Sequence, residues 1–146
     1  AEAGAGGGPI LKVQLGHRLT HIQQTVHPAT VISGGVVTYA LSVLGAGQTL
    51  TVTDDLPHQV GAPGAVQVSP EHPQPVYDLT HHRLTWVGHL DVGQPLTITF
   101  PVPVNGAGPM AVSNTVVLTD GTGQVSSDSA VFILDPRKVF LPLVMR

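Results

Sequence analysis

Eight histidines in a chain with only 6 Lys plus Arg are the first residues with the means to do chemistry, because a neutral imidazole is a common metal ligand. On an extended chain, ligands that share a face sit two residues apart. His17, His21 and His27 do not keep that spacing, and the adjacent His81 and His82 point to opposite sides of a strand. These histidines read as solvated surface side chains, with a structural or adventitious metal as the alternative that a chelator would expose. The carboxylates are weaker still as ligands. Asp54, Asp55, Asp78, Asp91, Asp120 and Asp128 form no Asp-x-Asp-x-Asp-Gly run. Asp91 and Asp120 fall in glycine turns and Asp54-Asp55-Leu56-Pro57 ends a strand, so turn and cap roles account for them.

Hydrolysis needs an activated nucleophile, and none is set up. Ser33-Gly34-Gly35 lacks the preceding glycine of a nucleophile elbow. The glycines at 4 and 6–8 precede neither a helix nor a Lys-Ser/Thr pair, so they are not a phosphate loop. The expectation is a protein that is not an enzyme, with no cofactor and no metal.

Composition narrows the partners. The formal net charge of −3 and the absence of any basic stripe argue against nucleic acid, which needs clustered cations. No apolar run reaches the roughly 18–20 residues that span a bilayer. Charged residues make up 10% of the chain, against about 25% in ordinary soluble domains, so Thr, Ser, Gln, Gly, Pro and His must build the surface. Cysteine is absent. The chain opens Ala-Glu-Ala-Gly with no basic n-region, which reads as an exported, cell-surface protein whose signal peptide has been removed.

The elements that must carry these residues are strands. Over residues 34–57, Val37, Tyr39, Leu41 and Val43 fall on one face, and after a glycine turn Leu50 and Val52 repeat the alternation. Polar residues 21–27 form an earlier strand, Val66 and Val68 a short one, and residues 76–79 and 83–87 two more, with Leu84 and Trp86 on one face. Leu96, Ile98, Phe100, Val102 and Val104 alternate along the cleanest strand, whose Pro101 and Pro103 mean that its second half lies at a sheet edge or leaves the sheet. Residues 111–119 and 124–134 pair around Asp120-Gly121-Thr122-Gly123. Turn signals every 8–12 residues or so, without helical periodicity, indicate an all-β, immunoglobulin-like antiparallel β-sandwich with extra strands at both ends. Tyr39, Trp86, Phe100 and Asn114 are its expected core, with the inward Asn114 amide tied to a loop backbone.

An ordered set of segments carries a family resemblance: Gly34-Gly35-Val36-Val37-Thr38-Tyr39-Ala40-Leu41, Thr51-Val52-Thr53-Asp54-Asp55-Leu56-Pro57, Leu84-Thr85-Trp86, Gly93-Gln94-Pro95-Leu96-Thr97-Ile98 and Ser113-Asn114-Thr115-Val116. Together, over about residues 33–134, they resemble the DUF11-type conserved repeat domain of bacterial and archaeal surface proteins. The chain departs from that pattern at Leu44-Gly45-Ala46-Gly47. The resemblance implies an extracellular structural or adhesive module, commonly arrayed in stalks.

The flanks divide the chain into an extension over residues 1–20 and a sandwich over 21–146. Behind a glycine-rich tip, residues 10–15 alternate Leu11, Val13 and Leu15, following Ile10, while Val139, Phe140, Leu141 and Leu143 belong to an end segment apolar on both faces. Either segment is suited to complete a neighbour's sheet edge, and a head-to-tail contact of that kind propagates. The favoured expectation is a subunit of a surface filament or homo-oligomer built by donation of the first segment. The alternative is a monomeric adhesion or stalk module whose loops bind a carbohydrate or protein ligand.

Overall fold

The computed structural model describes residues 21–136. Ile10, Leu11, Val13 and Leu15, like Val139, Phe140, Leu141 and Leu143, lie outside the described residues. Within them the chain forms β1 (His21–His27), β2 (Thr30–Val31), β3 (Val36–Leu44), β4 (Gln48–Asp55), β5 (Gln67–Ser69), β6 (Val76–Asp78), β7 (Arg83–Leu90), β8 (Pro95–Pro103), β9 (Met110–Thr119) and β10 (Val125–Leu134). They make two facing sheets, ordered β1-β3-β8-β5 and β2-β10-β9-β4-β7-β6.

Side-chain alternation drives this arrangement. Val37, Tyr39, Leu41 and Val43 on β3 and Leu96, Ile98, Phe100 and Val102 on β8 are all buried, while the residues between them are Thr, Ser, Ala and Pro. The register sets Tyr39 opposite Phe100, and their rings tilt together with centroids 5.7 Å apart. From the other sheet Leu50, Val52, Trp86, Leu118 and Phe132 close the core. Trp86 is sealed and still satisfied, because its Nε1–H donates to the Pro73 carbonyl at 2.8 Å. Its ring lies over Gly88, where any Cβ would come within 2.5 Å of Trp86 Cζ2.

The second half of β8 lies at a sheet edge, as its prolines require, because β5 pairs β8 only at Thr97, Ile98 and Thr99. Pro101 and Pro103 remain paired with Thr38 and Val36 of β3, so the strand does not leave the sheet. On the opposite side the Gly64 and Gly61 N–H groups donate to the carbonyls of Pro101 and Pro103, each at 2.8 Å. A loop that supplies donors suits a strand that has none to offer there.

The first strand changes sheets. After the cis His27–Pro28 bond, β2 lies parallel to the end of β10, with Thr30 and Val31 against Ile133 and Leu134. The Ile133 N–H donates to the Ala29 carbonyl, and that of Asp135 to Val31, both at 2.8 Å. β1 begins beside the end of β3, where His21 faces Leu44, and runs in the same direction as β10. The described chain therefore enters at one end of the sandwich and leaves at the other.

Candidate functional site

A buried polar cluster lies inside the sandwich, between β1 of one sheet and β4, β9 and β10 of the other. Gln24, Asp54 and Asn114 are all buried, at 5%, 0% and 1% exposure. Asn114 Nδ2 donates to Gln24 Oε1 at 2.7 Å and to Asp54 Oδ2 at 3.1 Å. Gln24 Nε2 returns two bonds, to the carbonyls of Asn114 at 3.0 Å and Asp128 at 3.3 Å. The Gln24 backbone N–H donates to Asp128 Oδ2 at 2.8 Å. Gln24 thus joins the two sheets, and Asn114 binds side chains from both rather than the loop backbone expected for it.

Burial makes this cluster electrostatically unusual. Removal from water pushes the Asp54 carboxyl up to about 7; the Asn114 bond opposes that rise and the neighbouring Asp55 charge adds to it. Burial, with the Asp54 charge second, holds the Tyr39 hydroxyl well above the usual phenol range. Tyr39 Oη, Asp54 Oδ1 and Asn114 Oδ1 are buried with no protein hydrogen-bond partner. A neutral carboxyl beside a carboxamide is the pairing that would assist attack of an amine on the amide carbon. No lysine falls among the described residues, and the amide nitrogen of Gln24 is not a nucleophile. The cluster is a polar bridge between the two sheets.

Sequence reasoning gave Asp54 a turn or cap role and did not single out Gln24. The signal was present, since Leu50-x-Val52-x-Asp54-x-Leu56 and Ile22-x-Gln24 carry the alternation straight through both polar residues.

The histidine pair also differs from expectation. His81 and His82 sit in the turn between β6 and β7, not on a strand, and His82 has φ of 54°. His82 is not a free solvated side chain. Its Nε2 meets the carbonyls of Val60 at 2.9 Å and Pro57 at 3.1 Å, which only accept, so that nitrogen carries the proton. Its Nδ1 then accepts from the Tyr77 hydroxyl at 2.5 Å. His82 therefore pins the loop after β4 to the β6–β7 hairpin. His81 pairs with Asp78 at 2.7 Å, an exposed contact that, chiefly through this hydrogen bond, lowers the Asp78 carboxyl below its ordinary range. No group of three or more His, Cys, Asp or Glu able to hold a metal occurs among the described residues.

Asp120 does take the turn role expected of it. Its Oδ1 accepts from the Thr122 hydroxyl and N–H and from the Gln124 N–H, at 2.6, 2.8 and 3.0 Å, which lowers its carboxyl below the ordinary range. Two open clefts lie at opposite ends of the molecule. One, of about 330 Å³, is bordered by His58, Asn105 and Met110; the other, of about 300 Å³, by His21, Leu44 and Pro95. Neither gathers charged groups. No helix among the described residues is long and apolar enough to cross a membrane.

No family model matches the chain, and no curated protein matches it. Solved structures do match. The C-terminal domain of the AgI/II polypeptide BspA of Streptococcus agalactiae aligns with a TM-score of 0.60 and 16% identity, over 77% of this chain and 49% of that one. The full-length major pilin SpaD of Corynebacterium diphtheriae aligns with a TM-score of 0.57 and 13% identity, over 78% and 34%. The collagen adhesin CNA of S. aureus gives 0.53 and 9% identity, over 80% and 49%. The chain spans about half the length of the BspA structure it matches. At these identities the likeness is one of fold, and it defines this chain as an immunoglobulin-like β-sandwich of the kind found in adhesins and pilins.

Proposed function

We propose that this chain is a non-enzymatic, extracellular structural module that joins its neighbours in line as a filament subunit. One observation carries the reading: the described chain enters at one end of the sandwich and leaves at the other, so modules linked through their flanks extend along the strand axis. The fold shared with a pilin and with surface adhesins supports the same class, as does the resemblance of residues 33–134 to a repeat domain of surface proteins. Among the described residues, Gln24, Asp54 and Asn114 tie the two sheets together from inside, which suits a module with a structural role.

In the finer form of the proposal the N-terminal segment bearing Leu11, Val13 and Leu15 pairs with a neighbour. That segment leads into β1, beside Leu44, whereas Ile32, Met110 and Ile133 expose apolar surface toward the far end where the chain leaves. An apolar donor from one copy would meet that surface on the next. Sedimentation velocity of the full chain and of a chain lacking residues 1–16 tests this. The full chain is expected to associate with rising concentration and the truncated chain to stay a folded monomer; undiminished association of the truncated chain would remove the N-terminal segment from the contact.

A further inference from the structure

We propose that β1, β2 and β10 form a shear clamp that bears tension applied through the two ends of this chain. Its use in an array rests on the end-to-end reading above, whereas the clamp itself is a property of one module.

Parallel alignment carries the argument. β1 and β10 run in the same direction on neighbouring edges of the two sheets, with β2 continuing alongside β10. Tension that draws the start of β1 one way and the end of β10 the other slides these strands past each other along their axes. Bonds across such a parallel pair run crosswise to the pull, slanted but evenly spaced, and share the load together. A peeling pull would break them one after another.

The bonds stand in two groups along the sliding line. Near the middle, the Gln24 N–H and Nε2 hold Asp128, and the same Nε2 holds the Asn114 carbonyl. Toward the exit end, Ile133 and Asp135 donate to Ala29 and Val31, and Asp135 Oδ1 accepts from the Ser33 N–H at 2.9 Å. Asp135 Oδ2 also accepts from the Gly108 N–H at 2.8 Å, which ties the end of β10 to the loop before β9. Behind them β1 is registered on β3 over its full length, and β10 on β9 over all of its own, so neither strand can slip without shearing a second ladder. The middle group matters because no backbone ladder joins β1 to β10; the side chains of Gln24 and Asp128 do that work.

Force spectroscopy on tandem copies of the full chain tests the proposal, because unfolding under load reads the barrier along the pulling direction. The chain has no cysteine, so a second pulling direction can be installed cleanly. Val92→Cys and Val125→Cys place both handles at the end where β1 begins, on residues exposed at 69% and 65%. Pulling through the termini is expected to require a higher unfolding force than pulling through those cysteines. Asp128→Ala should lower the end-to-end force and leave the same-end force unchanged, and Asp128→Asn, which keeps an acceptor for the Gln24 N–H, should restore part of it. Equal forces in both directions, or an equal loss in both on Asp128→Ala, would overturn the clamp. Sedimentation decides the array reading separately and does not alter these forces.

Discussion

The Asn114 carboxamide and the Asp54 carboxylate meet at 3.1 Å with both side chains shut away from solvent, one on β9 and one on β4 of the same sheet. A carboxylate in that place is held at a loss whenever it is charged. Asp54 titrates near 7 in the folded chain against an ordinary value of 3.8, a raised acid. Below 3.8 it is protonated in both states and contributes nothing to pH dependence. Between 3.8 and about 7 the unfolded chain ionises while the folded one does not, so stability falls as pH rises, and above about 7 the loss is complete.

Asp54→Asn removes that titration and keeps an acceptor for Asn114. Relative to the unmodified chain it should gain stability between pH 4 and pH 8.5, by an amount on the order of a few kcal/mol. Urea unfolding at the two pH values measures it; identical pH profiles for the two chains would refute the burial of a titrating Asp54. The lowered Asp120 has the opposite sign, with stability lost as pH falls through its folded value, and so acts on the acid side of this window.

Gln24→Ala removes the side chain that crosses between the sheets and leaves the Asn114 carbonyl and one of its amide hydrogens without their partner. The expected loss is about 2–4 kcal/mol, from unsatisfied polar groups and the space left behind. Equilibrium denaturation reads it directly, and a change below about 0.5 kcal/mol would mean that the bridge is replaceable.

Gly88→Ala tests the packing of the sole tryptophan. The added Cβ would stand 2.5 Å from Cζ2 of a ring that cannot flex, with its Nε1–H already committed to Pro73. A loss of about 1–3 kcal/mol is expected, with a shifted Trp86 fluorescence maximum. An unchanged spectrum and stability would contradict the ring's position over Gly88.

His82→Ala cuts the contacts that join Tyr77 to Pro57 and Val60. The loss should be local: faster amide exchange at Val60 and Leu56, with the β3–β8 pairing unaffected. Uniform acceleration across the sandwich would show that His82 supports the whole fold rather than one loop.

Much of this architecture is legible in the sequence, because period-two alternation on β3, β8, β9 and β10 leaves one way to face a core. The polar bridge is not, although Gln24 and Asp54 occupy inward positions by the same alternation. A polar residue between turn signals invites a cap, and whether it instead finds a partner depends on a strand 60 residues away for Asp54 and 90 for Gln24. Such pairing is tertiary, and local pattern does not carry it. The prolines of β8 make the sheet edge legible, since Pro101 and Pro103 mark a side without donors, but only the fold shows that Gly61 and Gly64 arrive to supply them.

Modules that join in line through their ends should form filaments. Negative-stain microscopy of the full chain over a range of concentrations tests it most directly. Strings of single-file subunits are expected, with a repeat no shorter than about 34 Å, the length of a ten-residue antiparallel strand such as β9. Isolated particles at every concentration, or closed rings and side-by-side pairs, would contradict it.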